Sequence, residues 1–146
     1  MNRTALFALA FGGLTVGAGG AAFADTDETA TECSVSSLDG SYVYSAMGTL
    51  AGEPYASAGI MSFDGDGNLA ILASRSVERE QLTQSGTYSI ESNCSASMEV
   101  ADGTINDLYL GPAGQSFKFV RVSGEDVVVG EAERVTTGFV GEPPGP

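Results

Sequence analysis

The chain contains no histidine, and Lys118 is the only lysine among its six basic residues. Without an imidazole there is no Ser-His-Asp or Cys-His set for nucleophilic catalysis. Cysteine is nearly as scarce, at two residues, Cys33 and Cys94. They do not form a C-x-x-C, so their spacing suggests neither a dithiol redox site nor a zinc site. Carboxylates are plentiful, but no spacing singles out a pair for glycoside chemistry. No stretch beyond residue 24 keeps a 3.6-residue apolar period, which excludes a helical bundle. The one long uncharged run, Thr4–Gly20, is short, small and broken by Gly12, Gly13, Gly17, Gly19 and Gly20. A spanning helix needs about 20 strongly apolar residues.

That run reads instead as an export signal. Met1-Asn2-Arg3 is a short basic start, and Ala22-Phe23-Ala24 is an A-x-A cleavage site before Asp25. Residues 1–24 are expected to be removed, leaving no stable membrane insertion and a secreted or periplasmic protein. Loss of Arg3 leaves five basic residues against 19 acidic ones, taking the net charge from −13 to −14. Such a surface repels phosphate backbones, so no nucleic-acid partner is expected and anionic lipid is a poor candidate. It solvates an exported domain, and it attracts cations.

In an oxidising compartment two cysteines most simply form one disulfide, here Cys33–Cys94, with free thiols as the alternative. A bridge closing 61 residues restricts the unfolded chain by roughly 4 kcal/mol.

The 146 residues leave room for one domain. Residues 25–37 begin with DTDETATE and read as an acidic, disordered lead-in, and residues 141–146, GEPPGP, as a disordered tail. Between them, residues 38–140 alternate with period two, the mark of strands with one buried face. The clearest case runs through Ser85–Val100. Leu82, Gln84, Gly86, Tyr88 and Ile90 share a face, and after Ser92-Asn93 so do Ala96, Met98 and Val100. Cys94 sits at the corner.

Taken in order, Ser41–Leu50 is the first expected strand, with Tyr42, Tyr44 and Ala46 on one face. Glu53-Pro54 is expected as a loop, followed by a strand at Ala56–Phe63. Asp64-Gly65-Asp66-Gly67-Asn68 is a hairpin turn rich in residues that tolerate positive φ. Leu69–Val77 follows, then a charged turn at Glu78-Arg79-Glu80 and the two strands of the central hairpin. Asp107–Gly111, Gln115–Val122 and Asp126–Val135 complete eight. A two-residue connection at Gly124-Glu125 sets Lys118 opposite Glu131. Phe117, Phe119 and Arg121 then share a face with Val128, Gly130, Ala132 and Arg134. Short connections join neighbouring antiparallel strands. The expected fold is therefore all-β, an eight-stranded antiparallel up-and-down barrel, whose closure removes exposed edges.

Several landmarks resemble a group of exported bacterial proteins of the allene oxide cyclase barrel-like superfamily. They are Leu38-x-Gly40-x-Tyr42, Phe63-Asp64-Gly65-Asp66-Gly67-Asn68, Gly86-Thr87-Tyr88 leading to Cys94, and Gly130-x-Ala132-x-Arg134. The resemblance spans roughly Cys33 to Val135. It implies an eight-stranded, calycin-like barrel. Characterised members of the superfamily include plant allene oxide cyclase and bacterial spirotetronate cyclases, which fold a flexible polyene or epoxide inside an apolar barrel. No catalytic residue of those cyclases matches a position here, so none carries over.

The candidate binding residues are Tyr42, Tyr88, Met98, Phe117, Phe119 and Arg121, apolar walls with a few polar groups being the usual makeup of a ligand site. Tyr44 belongs with the tyrosines that line a pocket or simply pack. Arg121, if interior, needs an acid or a ligand carboxylate, or else it lies at the rim and reaches water. Asp64, Asp66 and Asn68 look like the start of a calcium loop. Leu69 and Arg75 stand where an EF-hand needs Gly and Glu, so a plain turn is expected. Glu78 and Glu80, flanking Arg79, read as a solvated tip. No metal and no cofactor is expected. Three readings follow: a binder of a small apolar molecule, a passive packed barrel, and a cyclase or isomerase that holds a reactive conformer of a flexible apolar substrate.

Overall fold

The structure is a computed structural model that describes residues 32–137, the side chains of 78–80 excepted. The expected signal, most of the lead-in and the tail lie outside the described residues. Eight antiparallel strands form a closed barrel in sequence order. They are β1 (Asp39–Leu50), β2 (Glu53–Asp64), β3 (Asn68–Arg75), β4 (Glu78–Ile90), β5 (Ser95–Val100), β6 (Ile105–Leu110), β7 (Ser116–Arg121) and β8 (Val127–Thr136). β8 returns to pair with β1, with a register shift at Ser41/Tyr42.

Alternation sorts the side chains as the sequence predicts. Tyr42, Tyr44 and Ala46 of β1, Tyr88 of β4, Ala96, Met98 and Val100 of β5, and Phe117 and Phe119 of β7 are buried. Val43 and Met47, one residue out of phase, are exposed. Lys118 pairs with Glu131 across β7 and β8 and forms a solvent-facing ion pair with it.

Two expected turns are displaced. Glu53-Pro54 is not a loop but the start of β2, paired with Leu50 and Thr49. The reversal is made by Ala51-Gly52 alone, both at positive φ (51° and 82°), the geometry of a two-residue hairpin turn. Pro54 is tolerated because pairing between β2 and β3 begins only at Ser57, so no second neighbour requires its missing N–H. Likewise Glu78-Arg79-Glu80 is not a turn. These residues open β4, and the chain reverses at Ser76-Val77. In both places the strand ends at a barrel rim, where polar side chains give it a loop-like composition.

At the other end, regular structure starts before Leu38. Val35–Ser37 form a 3₁₀ turn, and Cys33 is bridged to Cys94 with Cα atoms 5.0 Å apart. A second 3₁₀ turn, Pro112–Gly114, lies at the same end, between β6 and β7.

Two glycines in the resemblance motifs have steric roles. A Cβ on Gly86 would overlap the Glu99 carbonyl oxygen of β5, and one on Gly130 would overlap the Phe119 ring. Gly86 lets β4 and β5 approach closely, and Gly130 makes room for an interior aromatic.

Candidate functional site

The two halves of the barrel differ. The end bearing the 3₁₀ turns is filled by aromatic rings. Phe63 meets Tyr42, Tyr88 and Phe117 edge-on, at centroid distances of 5.4, 5.0 and 5.6 Å. The Tyr42 hydroxyl donates to the Gly114 carbonyl at 2.7 Å and accepts from Arg134 Nε and Nη2 at 2.9 and 2.7 Å. Arg134 Nη2 also reaches the Ser37 carbonyl at 3.0 Å, and the guanidinium stands over the Tyr42 ring. The Tyr88 hydroxyl donates to the carbonyls of Val35 and Leu38 at 3.0 and 2.8 Å. These bonds tie both 3₁₀ turns to the barrel floor and seal it.

Burial pushes the Tyr88 phenol up to about 12, with the carboxylate of Asp64 acting in the same direction. Burial also raises the Tyr42 phenol, against the lowering effect of Arg134. Both hydroxyls are neutral and fully engaged in structure.

The opposite end is open. There the interior holds a cavity of about 80 Å³ whose apolar wall includes Met61, Ile71, Met98, Phe119 and Val128. Tyr44 and Ser57 join its lining and hydrogen-bond each other at 3.0 Å. Burial raises the Tyr44 phenol, partly offset by that bond.

The rim is polar. Arg75 Nη2 donates to Gln84 Oε1 at 2.8 Å, and Gln84 Nε2 donates to Asp102 Oδ2 at 2.8 Å. Burial would raise the Asp102 carboxyl. Hydrogen bonds from Gln84 and Thr104, with the charge of Arg75, bring it below its ordinary value instead. Arg121 faces Asp126 at 3.5 Å, with 22% of each side chain exposed. Asp126 also accepts from the Ala51 N–H at 2.8 Å. Arg121 Nε is buried with no hydrogen-bond partner among the described residues.

Of the sequence-predicted binding residues, Met98, Phe119 and Arg121 come together at this cavity. Tyr42, Tyr88 and Phe117 do not; they belong to the sealed end. The acid facing Arg121 is Asp126. The residue missed is Asn106. It pairs with Met98 on one side and Arg121 on the other, lines the cavity, and is only 5% exposed. No hydrogen bond among the described residues uses its side-chain amide. The expected strand six began at Asp107. Extending its alternation back from Leu108 would have found Asn106 in phase with the interior.

The calcium-like loop is occupied by itself. Asp64 accepts from the N–H groups of Asp66 and Asn68 at 2.8 and 2.9 Å, and from the Asn68 amide at 2.6 Å. Slight burial would raise its carboxyl, but these bonds hold it below its ordinary value. Among the described residues no group of three or more His, Cys, Asp or Glu could hold a metal ion. A wider depression of about 900 Å³ lies over β3–β5 near Gly86, open to solvent and lined by Ser85, Thr87 and Glu99 together with apolar residues such as Leu69, Val100 and Ala101.

No family model and no curated protein matches the sequence. Among solved structures the chain is similar to EF1p2_mFAP2b bound to DFHBI, with a TM-score of 0.55 and 10% identity, over 68% of this chain and 94% of that one. It is also similar to a fluorescence-activating β barrel designed de novo, with a TM-score of 0.53 and 13% identity, over 69% and 96% of the two chains. At such identities the likeness establishes the barrel fold. Among the described residues no helix is long and apolar enough to cross a membrane.

Proposed function

We propose that the protein is an exported small-molecule-binding barrel, freed by cleavage after Ala24, whose ligand enters the open end and rests against Met98, Phe119 and Arg121. One observation carries this reading. Arg121 Nε, at a residue lining the cavity, is buried with no hydrogen-bond partner among the described residues. An unmet buried donor costs roughly 1–3 kcal/mol, a cost that an acceptor on a bound molecule removes. The similar barrel bound to DFHBI supports the reading, as a case of this fold holding a small molecule. The Cys33–Cys94 bridge supports export.

Kinship with exported members of the allene oxide cyclase barrel-like superfamily is part of the proposal, supported by motif glycines at positions where a side chain would not fit. A ring-closing activity is not part of it, because nothing at the site favours one. The packed aromatic floor favours a second reading, a passive barrel. Cavities that hold drug-sized ligands run to about 300–1,000 Å³, so the 80 Å³ here admits only the end of a molecule unless the rim opens.

Native mass spectrometry of the bridged protein from its own source separates the two. A non-covalent adduct that leaves on unfolding is expected. Bare protein in repeated preparations, with only water in the cavity by NMR, would overturn the binding reading in favour of the passive barrel.

A further inference from the structure

We infer that the ligand presents a carboxylate on a short apolar chain, gripped side-on by the Nε edge of Arg121. This deepens the small-molecule reading above and rests on it.

The chain is strongly acidic, with 19 Asp and Glu against six Lys and Arg. The cavity at the open end reverses that balance. Arg75 and Arg121 both line it, and Asp102 is the one acid among the described lining residues. The two arginines are held differently. Arg75 donates to Gln84, which in turn donates to Asp102. Arg121 has no such link. Its ion pair with Asp126 runs from Nη1 at 3.5 Å, well beyond the roughly 2.7–2.9 Å of a charge-assisted hydrogen bond. Its Nε, on the other edge of the guanidinium, is buried with no hydrogen-bond partner among the described residues. Arg134 shows what that edge does when it is satisfied: Nε and Nη2 converge on one oxygen, the Tyr42 hydroxyl, at 2.9 and 2.7 Å.

The side-on edge of a guanidinium carries two parallel N–H groups, spaced to match the two oxygens of a carboxylate. A ketone or hydroxyl oxygen meets that edge with one atom and no charge. An ammonium brings only donors to it. Asn106 lies one strand away, paired with Arg121 on one side and Met98 on the other, and its amide offers a further N–H to the same group. Phe119, two residues back on β7, lines the same cavity with Met61 and Val128, so a chain running inward from the carboxylate meets an apolar wall. At about 80 Å³ the cavity has the volume of two or three waters at about 30 Å³ each, which suits a chain of few carbons. The net charge of −13 slows an anion's approach. The two guanidiniums offset the cost of taking it out of water.

The test uses the bridged wild-type protein and four probes of one chain length: butanoate, butan-2-one, butan-1-ol and butylammonium. Each is titrated into the millimolar range, as suits ligands of so few atoms, at neutral pH and constant ionic strength. Binding is read by NMR on the Arg121 Nε–H resonance. Butanoate should shift that resonance and bind on the order of tenfold more tightly than the ketone or the alcohol, with butylammonium weakest. Arg121→Lys keeps the charge and loses the two-pronged edge. It should weaken butanoate about tenfold and the ketone by less than about threefold. Lys118→Gln, on the outer wall, removes one positive charge elsewhere and should leave butanoate within about twofold. The wild-type comparison stands even if Arg121→Lys fails to fold. Butan-2-one binding as tightly as butanoate, or butanoate binding that Arg121→Lys leaves unchanged, would overturn this inference and leave the binding site intact. Failure of all four probes to bind would overturn the small-molecule reading itself.

Discussion

Phe63→Ala is the sharpest probe of the division between a filled floor and an open mouth. Phe63 is wholly buried, and its ring is the common neighbour of Tyr42, Tyr88 and Phe117. Truncating a buried Phe removes its transfer free energy and leaves a cavity, costing about 3–5 kcal/mol. Edge-on ring contacts contribute about 0.5–1.5 kcal/mol each beyond area. Part of that is already counted in the truncation figure, so a net loss of about 4 kcal/mol is expected. Small domains have only about 5–15 kcal/mol in total. At roughly 4–8 °C per kcal/mol, the melting temperature should fall by roughly 15–30 °C. The assay is urea and thermal unfolding with the Cys33–Cys94 bridge verified by mass. Met47→Ala, on a side chain 65% exposed, serves as the control and should stay within about 0.5 kcal/mol. A loss below about 1 kcal/mol for Phe63→Ala, at unchanged denaturant slope, would mean that the floor is not packed, and the contrast between the two ends would fail.

Reducing the Cys33–Cys94 bridge, closed across 61 residues, should cost roughly 4 kcal/mol, and an unchanged melting temperature with reduction confirmed would refute that. The Tyr88 phenol titrates near 12 when folded, above its ordinary 10.0. Its contribution is therefore complete below pH 10 and lost as pH rises towards 12, roughly 1–2 kcal/mol after allowance for solvent screening. Tyr88→Phe should flatten stability against pH in that window, and equal slopes for the two proteins would refute the assignment. Gly86→Ala should destabilise by about 1–3 kcal/mol through overlap with the Glu99 carbonyl, whereas Ser85→Ala beside it, on the outer wall, should be near neutral by the same melts.

Much of the barrel was legible because alternation is a local property. The inward set of β1, the hairpin of β4 and β5, and the pairing of Lys118 with Glu131 each follow from residues close in sequence or joined by one tight turn. The misplaced turns share one cause. Glu53-Pro54 and Glu78-Arg79-Glu80 are polar because they stand at a rim, and rim strands have loop-like composition. Asn106 escaped notice because a polar residue inside a barrel contradicts the very pattern used to find the strand.

Sequence alone therefore determined the strand class, the number of ribbons and the alternation that sorts most side chains into two faces, and it favoured the Cys33–Cys94 bridge. Closure and tertiary packing decided which inward residues meet. The level at which a side chain sits in a barrel depends on the stagger of all eight strands, a sum over the whole circuit that no local window contains. That stagger gathers Tyr42, Phe63, Tyr88 and Phe117 beneath the 3₁₀ turns, where they seal the floor. It leaves Met98, Asn106, Phe119 and Arg121 together at the end that stays open.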